Sequence, residues 1–471
     1  MPERILTSGL ALVLALCAPA RAADFDARFD EIVARATPAQ LYAFLYDMPK
    51  GGDLHNHSGG ANRSEWLFDA CTDPARNGGE TFYTCARFAG TADEAKPAAH
   101  YRTVRSNAYA SMGASKSEYV ALGDLTADEK AAWLASMRLD GTGNGRTEFF
   151  SNIWPRINAT TGCLPLATEL LVENMRAFGA EHVAYLETQF ISEGMLDNDG
   201  SVIPDDVAVA YVKNRLAQPD AVATGVCVRF LRTILRFAPD AETRLEKAYR
   251  FADAYRDLWV GLNLAGIEEN PAGPPSRFLA TFRALRARYP TLALSIHAGE
   301  MDGADKHVRD TLLLGATRIG HGVNLIKDPD TLLLLQQTRR VLVEINLISN
   351  RLLGYVPDLS KHPFPEYLRT GVPVCLNTDD RGMWDSNLTD EYFTAVTQFH
   401  LSWEEILQMG RDSLSHSFVQ QPEKERLLAD FDRRIADFES RYASGPIEGP
   451  LASVRPVTYG YAKRNWGFDF N

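Results

Sequence analysis

From Pro165 onward, the spacing of apolar residues alternates between two patterns. Stretches with apolar residues three or four positions apart, which predict amphipathic helices, alternate with short continuous apolar runs, which predict buried strands. The predicted helices cover 166–178, 205–216, 243–255, 276–288, 305–314, 328–336 and 364–369. Each helix leads into one predicted strand, and these seven strands cover 183–188, 225–231, 258–264, 292–297, 318–321, 341–345 and 372–378.

An eighth predicted strand lies far upstream, within 50–61. Helices that alternate with near-continuous apolar strands are typical of a parallel sheet covered by helices. Eight such units predict an α/β fold of the (β/α)8 TIM-barrel type, with a doubly wound sheet as the alternative. Polar residues end the first, fifth, sixth and eighth strands, whereas a doubly wound sheet would gather them at one switch point. We therefore expect the barrel.

The other segments predict additions to a barrel at 50–420. Residues 23–49 carry apolar residues at helical spacing and predict one or two helices that lead into the first strand. Residues 62–165 are less regular, with Gly- and Thr-rich loops and short helical pieces, and predict an insertion in the barrel. Residues 421–471 predict a C-terminal extension that is first helical and then extended.

Residues 1–22 have the pattern of a secretory signal peptide. Arg4 supplies a positive charge, and Leu10 to Leu16 form an apolar segment that is too short to span a bilayer. Ala20-Arg21-Ala22 has the small-residue form of a cleavage site. We expect export to a periplasmic or secreted location, with no membrane attachment after cleavage.

The net charge of the chain narrows its possible partners. A formal net charge of −12 disfavours nucleic acid and anionic membrane surfaces as partners.

Cleavage after Ala22 would leave five cysteines, of which Cys71 and Cys85 flank a polar, turn-rich loop. We expect these two to form a disulfide in an oxidising compartment. Cys375 lies in an apolar run and is expected to be buried, whereas Cys163 and Cys227 could pair or stay free.

Candidate metal ligands lie at the ends of the predicted strands. His55 and His57 are one residue apart, so both imidazoles point to the same side of a strand. His297 ends the fifth strand and Asp379 follows the eighth. Three imidazoles and one carboxylate suit Zn²⁺, and the position left open indicates a catalytic site. Zinc in such a site lowers the pKa of a bound water and supplies a nucleophile.

Three further residues could complete an active site. Glu300, three positions after His297, could in its protonated form deliver a proton to a ring nitrogen of a substrate. His321 ends the next strand and could orient or deprotonate the attacking water, and Asp380 could accept a hydrogen bond from the substrate. Taken singly, each has a structural interpretation, such as a buried histidine or a helix cap. Their joint placement at strand ends favours a metal-dependent active site.

The remaining histidines lack partners at useful spacing, and we expect them to be structural. They are His100, His182, His307, His362, His400 and His416.

Five short motifs between about residues 45 and 385 occur in an order that resembles adenosine deaminases and their secreted growth-factor-related relatives. The motifs are Met-Pro-Lys-Gly-Gly-Asp-Leu-His55-Asn-His57, Leu-Ala-Gly266, His297-Ala-Gly-Glu300, Arg-Ile-Gly-His321-Gly and Asn-Thr-Asp379-Asp380. The resemblance implies a metal-dependent barrel of the amidohydrolase superfamily that deaminates 6-aminopurine nucleosides. The implied partner is therefore a small-molecule purine nucleoside.

By position, the resemblance also implies that the 62–165 insertion forms the substrate lid, and it implies a role for each site residue. It implies one zinc ion held by His55, His57, His297 and Asp379. It implies that Glu300 protonates the purine N1, that His321 acts as base and orienter, that Asp380 bonds N7 and that the backbone of Gly266 bonds N3.

Two positions depart from the resemblance. The family carries an Asp that binds the ribose hydroxyl where this chain has Gly59, so ribose recognition must come from elsewhere or be relaxed. The usual Asp-Asp-Pro is here Asp380-Arg381, and Arg381 is expected to place a cation near the cavity mouth that tolerates an anionic substituent.

Three functional hypotheses follow from these patterns. The first is zinc-dependent deamination of adenosine, or of adenine or a 5′-modified adenosine. The second is another amidohydrolase acting on an amide, a lactone or a phosphoester, although the lysine that such two-metal barrels often carry is not evident at a strand end. The third is a purine-binding protein without activity, which would predict the loss of a ligand or of Glu300.

Overall fold

The structure, a computed structural model, describes residues 20–87, 100–141, 145–301 and 303–470. Of the predicted signal peptide, residues 1–19 lie outside this range. The strands in the described residues are β1 (Gly51–His57), β2 (Phe82–Cys85), β3 (Thr103–Arg105), β4 (Tyr119–Ala121), β5 (Val183–Gln189), β6 (Cys227–Leu235), β7 (Trp259–Ala265), β8 (Ala293–Ala298), β9 (Arg318–His321), β10 (Leu342–Ile345) and β11 (Val374–Leu376).

Eight parallel strands form the barrel in the order β1-β5-β6-β7-β8-β9-β10-β11. Beyond β11 the chain reaches β1, where the Asp379 N–H donates to the His55 carbonyl (2.8 Å) and the His57 N–H donates to the Asp379 carbonyl (3.2 Å). These bonds close the circle at the carboxyl ends of the first and last strands. The predicted (β/α)8 TIM barrel is confirmed, and the doubly wound alternative is wrong.

Helices cover the outside of the barrel and pack their apolar faces on the strands. In the helix Trp403–Ser415, for example, Trp403, Ile406 and Leu414 are buried, and Ser402 caps its first turn through a reciprocal bond with Glu405. The helices of this layer are α9 (Leu164–Ala180), α10 (Asp205–Leu216), α11 (Pro219–Val222), α12 (Ala241–Ala254), α13 (Leu279–Arg288), α14 (His307–Leu314), α15 (Pro329–Thr338), α17 (Phe364–Arg369), α19 (Leu388–Phe399) and α20 (Trp403–Ser415). Two short helices, α16 (Leu347–Leu352) and α18 (Arg381–Trp384), follow the last two strands and pack apolar residues into the core of the 62–165 insertion.

The two ends of the chain pack together beside the barrel. Helices α1 (Ala20–Arg35) and α2 (Pro38–Asp47) precede β1, and α21 (Gln421–Tyr442), α22 (Glu448–Leu451) and α23 (Gly460–Trp466) follow α20. Phe29 and Phe44 from the first two helices contact Trp403 of α20, whose ring stacks on Phe438 of α21. Among the described residues, none of the helices combines the length and apolar character needed to cross a membrane.

The region between β1 and β5 forms a small unit of its own. Its strands form an antiparallel sheet in the order β3-β2-β4. Trp133, fully buried, packs there against Phe68 and donates its indole N–H to Thr103. The helices of this unit are α3 (Ser64–Cys71), α4 (Pro74–Asn77), α5 (Ser106–Ala110), α6 (Ala127–Ser136), α7 (Gly145–Thr147) and α8 (Trp154–Thr161).

The expected Cys71–Cys85 disulfide is wrong, because both residues are free thiols in the structure, as are Cys163, Cys227 and Cys375. Burial together with the neighbouring Cys163 raises the pKa of the Cys71 thiol well above its usual range. Burial also raises the pKa of Cys85, to about 11, with Glu118 as the nearby charge. Cys71 thus lies in the core beside Cys163.

Candidate active site

Four side chains that the sequence predicts as metal ligands converge at the carboxyl end of the barrel. The ring of His55 lies 5.5 Å from that of His57 and 4.4 Å from that of His297, measured between ring centres. One oxygen of Asp379 lies 3.1 Å from Nε2 of His57 and 3.5 Å from Nε2 of His55. The nitrogen atoms of the three histidines fall within 4.8 Å of one another, which is close enough to share one ion.

Buried partners fix the orientation of these ligands. His55 shares its Nδ1 with Glu344 (2.7 Å) and His297 shares its Nδ1 with the amide oxygen of Asn263 (3.0 Å). If each Nδ1 carries the proton, both Nε2 lone pairs face the cavity, as metal-binding histidines require. The hydroxyl of Ser349 donates to the second oxygen of Asp379 (2.7 Å). Asp379 also has φ of +52°, a strained backbone conformation that is common at functional sites.

Two observations test whether the site fits a cation. Nε2 of His55 is buried and lacks a hydrogen-bond partner, which is costly unless another group binds it. Burial disfavours a charged imidazole, yet the Asp379 and Glu344 carboxylates raise the pKa of His55 to about 10. This end of the barrel therefore favours a positive charge. Three imidazoles and one carboxylate fit a zinc-like metal ion.

Glu300 lies beside this cluster on a loop that a second carboxylate holds in place. Burial and the charges of Asp379 and Glu268 raise the pKa of Glu300 well above its usual range, which favours the protonated carboxyl. Glu268 accepts the backbone N–H groups of Gly299 and Glu300 (2.7 Å each) and contacts Nδ1 of His307 at 2.9 Å. The Glu268 carboxylate thus clamps the loop that presents Glu300.

A chain of hydrogen bonds determines which nitrogen of His321 carries a proton. The Phe364 N–H, a donor without ambiguity, donates to Nδ1 of His362 (3.1 Å), so the proton of neutral His362 is on Nε2. That nitrogen donates to Oδ1 of Asn350 (3.1 Å), whose amide nitrogen lies 3.2 Å from Nδ1 of His321. His321 therefore accepts at Nδ1 and carries its own proton on Nε2. This Nε2 lies 3.7 Å from Glu300.

The tautomer changes the role expected for His321. With its proton on Nε2, neutral His321 is a hydrogen-bond donor towards the cavity, not the base that its position in the sequence suggests. Burial, with the charge of His55 as the next cause, lowers the pKa of His321 to about 3 in the metal-free protein.

Asp380 and Gly266 also line the cavity. Burial and the adjacent Asp379 raise the pKa of Asp380. Gly60 makes room for this side chain, because a Cβ at Gly60 would lie 1.6 Å from Oδ1 of Asp380. Gly266 has φ of +106°, a conformation that residues with a side chain rarely adopt. All eight residues predicted from the sequence therefore lie around one site.

The cavity in front of these residues has a volume of about 430 Å³ and lies within the usual range of small-molecule sites. The insertion supplies one of its walls through Phe149, Phe150 and Trp154. The ring of Trp154 lies 6.3 Å from that of His57. A Cβ at Gly59 would lie 2.8 Å from Thr161 and 3.2 Å from Trp154, so the insertion fills the space that a side chain would need there.

The expectation for Arg381 is wrong. Its guanidinium is buried, bonds Glu181 at 2.6 Å and stacks over Phe178 of α9 at 4.2 Å. Arg381 begins α18 and points towards the outer helix layer, so it places no cation at the mouth of the cavity.

Sequence reasoning missed the residues that support the site. Glu344, Asn263, Asn350 and Glu268 are all buried polar residues near strand ends. The available signal was a carboxylate or amide in an otherwise apolar run, as in Val-Leu-Val-Glu344-Ile. A further acidic group, Glu268 with Asp305 and His307, has the spacing of a metal site, but Glu268 is already engaged by the Glu300 loop.

The fold and the site define a hydrolase of the metal-dependent (β/α)8 class. The family model described as adenosine deaminase matches residues 152–434, more than half of the chain. The chain therefore belongs to the adenosine deaminase family, whose members are hydrolases that act on C–N bonds.

Two relatives show the extent of the similarity. The chain is 33% identical over 252 residues to an adenosine deaminase of Enterococcus faecalis, covering 53% of this chain and 71% of that protein. It is 34% identical over 209 residues to an adenine deaminase of Chelativorans sp., covering 44% of this chain and 62% of that protein.

Solved structures agree on the fold. An amidohydrolase from Burkholderia ambifaria with bound Zn superposes with a TM-score of 0.60 at 18% identity, covering 86% of this chain and 96% of that one. Arabidopsis ADAL complexed with IMP superposes with a TM-score of 0.60 at 20% identity, covering 84% and 99%.

Proposed function

We propose that this protein deaminates a 6-aminopurine nucleoside, with adenosine as the reference substrate, and releases inosine and ammonia. The observation that carries the proposal is the buried carboxyl of Glu300 beside three converging histidines that line one small-molecule cavity. Deaminases of adenosine and of adenine among the relatives support the same class of substrate.

We propose zinc as the metal, held by His55, His57, His297 and Asp379. Nitrogen donors with one carboxylate favour zinc over Mg²⁺ or Ca²⁺, which prefer sites built from oxygen. The zinc-bound neighbour from Burkholderia ambifaria supports this choice. When bound, zinc would supply a Lewis acid that makes water a nucleophile near neutral pH.

The residues of the chain would then handle the purine ring. Glu300, neutral because of burial and nearby carboxylates, would donate its proton to N1 and make C6 more electrophilic. His321, with its proton on Nε2, would donate a hydrogen bond to the attacking oxygen and hold it in line with C6. Asp380 would bond N7 and the Gly266 backbone N3, so that the ring lies with C6 towards the histidines.

The competing amidohydrolase hypothesis finds less support. Two-metal barrels that act on amides, lactones or phosphoesters often use a carboxylated lysine, and no lysine lies among the described residues that line the cavity. A binding protein without activity would not need the Glu268 clamp on Glu300.

The first test follows the ultraviolet absorbance of adenosine with metal-loaded protein. We expect conversion to inosine that a chelator abolishes and that falls by about 10²–10⁴-fold in Glu300→Gln, because the proton donor is lost. Glu366→Gln, an exposed position on α17, is the matched control and should retain full activity. Zinc binding to the metal-free protein, measured by calorimetry, should be lost in His297→Ala and kept in Glu300→Gln.

Failure with adenosine, adenine and modified adenosines alike would refute the deaminase proposal. Conversion that is insensitive to chelator would refute the role of the metal.

A further inference from the structure

Beyond the catalytic groups, the wall of the cavity is mainly apolar. The side chains that form this apolar wall are Phe149, Phe150, Trp154, Pro155, Ile191, Met195, Leu235, Phe237 and Ile267. If the histidines and Glu300 hold the C6 and N1 edge of the purine, the substituent on N9, on the far side of the ring system, must occupy the remaining volume. The part of the apolar wall that does not contact the ring system is therefore left for the sugar end of the substrate.

Part of this wall is open to solvent. Ile191 and Leu235 are 40% and 46% exposed, although most large apolar side chains of the protein are buried. Contact with an apolar ligand group would remove this surface from water, which is favourable. A hydrophilic ligand group at the same place would gain no free energy from contact with these side chains.

The charge of the cavity disfavours a phosphate. No lysine or arginine is among the described residues that line it, whereas the Asp379 carboxylate does. Arg381 pairs with Glu181, and Nη2 of Arg236 donates to the backbone carbonyls of Leu264 and His297, so neither guanidinium lines the cavity. A 5′-phosphate moved from water into this cavity would find no cationic side chain to offset its dehydration.

Polar partners for a ribose are present but few. They are the side chains of Ser58, Asn62, Asn158, Thr161, Gln189 and Thr233, all of which are uncharged. These groups can bond the hydroxyls of a sugar ring.

We propose that the site selects 6-aminopurine nucleosides that carry an uncharged, apolar group at the 5′ position, such as 5′-deoxy- or 5′-alkylthio-adenosines, over nucleoside 5′-phosphates. This inference rests on the proposed deaminase function and names its substrate class. In the reaction, water adds at C6, the bond from C6 to the amino nitrogen breaks, ammonia leaves, and the 5′ group is unchanged.

The test compares kcat/KM of the zinc-loaded protein for adenosine, 5′-deoxyadenosine, 5′-methylthioadenosine and AMP. We expect 5′-methylthioadenosine to exceed adenosine by about tenfold or more, because a filled apolar pocket discriminates by such factors. We expect AMP to fall at least about tenfold below adenosine. Equal or higher values for AMP, or a preference for adenosine over both apolar analogues, would overturn the proposal.

A pair of variants tests whether the lack of a cationic side chain in the cavity disfavours a 5′-phosphate. Leu235→Lys puts an ammonium at the mouth of the cavity and should raise the ratio of AMP to adenosine turnover by about fivefold, the range of an exposed ion pair. Leu333→Lys, at a 55% exposed leucine on α15, makes the same chemical change outside the cavity and should leave the ratio unchanged. Equal ratios in the two variants would count against the proposal.

The two proposals fail in different ways. If no 6-aminopurine is converted, the deaminase function itself is wrong. If adenosine is converted but the order of analogues is reversed, only the substrate class is wrong.

Discussion

At the scale of single residues, His321 shows how much of the chemistry depends on neighbours that are distant in the chain. His362 and Asn350 have no chemistry of their own in the site, yet their hydrogen bonds place the proton of His321 on the nitrogen that faces Glu300. The direction of these hydrogen bonds is set by the backbone N–H of Phe364, which can only donate. We regard His362 and Asn350 as positioning residues.

The double variant Asn346→Asp/Asn350→Asp tests this relay, because the amide nitrogen of Asn346 also lies 3.2 Å from Nδ1 of His321. Two carboxylates cannot donate to His321, so the proton of His321 should move to Nδ1, and kcat should fall by about 10²–10⁴-fold with little change in KM. Nitrogen-15 spectra of the histidine rings in the metal-free protein would report the tautomer directly. Asn214→Asp, at an exposed position of α10, serves as the control. An unchanged kcat with the proton still on Nε2 would contradict the relay.

At the scale of elements, the helix and strand pattern of the barrel follows the sequence closely. Helix 205–216, strand 318–321 and helix 364–369 have the predicted bounds, because each takes its place in the regular alternation of helices and strands. The antiparallel sheet of β2, β3 and β4 was not predicted. Its strands have only three or four residues, and they lie outside the alternation of helices and strands that identifies the barrel strands.

The free cysteines of the insertion give a prediction at this scale. Protein that begins at Ala23, denatured without reductant, should show five reactive thiols per chain, since Cys71 and Cys85 are buried separately. Its melting temperature should be the same with and without reductant. Three thiols, with a melting temperature that falls on reduction, would show that a disulfide forms after all.

At the scale of the whole molecule, the candidate metal site joins the first and the last strand of the barrel. His55 and His57 lie on β1, His297 lies on β8, and Asp379 follows β11, where backbone bonds complete the circle. A metal bound by all four would connect strands that are more than three hundred residues apart in sequence.

Metal removal should therefore lower the stability of the whole domain. Chelation is expected to reduce the melting temperature by at least about 5 °C, because an ion that binds only the folded state stabilises that state by mass action. Zinc should restore the loss, while magnesium should not. His297→Ala should show a much smaller response to chelator, and an equal response in both proteins would argue that the ion lies elsewhere.

The sequence by itself determined the fold class and the identity of the site residues. Both depend on local information: the period of apolar positions defines helices and strands, and a parallel barrel gathers the residues that end its strands. For this reason His55, His57, His297, Glu300, His321, Asp379 and Asp380 could be named before their distances were known.

Only the tertiary structure decided how those residues are supported and how the cavity is shaped. Arg381 follows Asp380 directly, but α18 turns it into the outer layer against Glu181. Cys71 lies next to Cys163 and not to Cys85, and Trp154 from the insertion occupies the space beside Gly59. These outcomes depend on contacts between segments that are remote in the chain, and the direction of a side chain in such contacts is set by packing and not by local pattern.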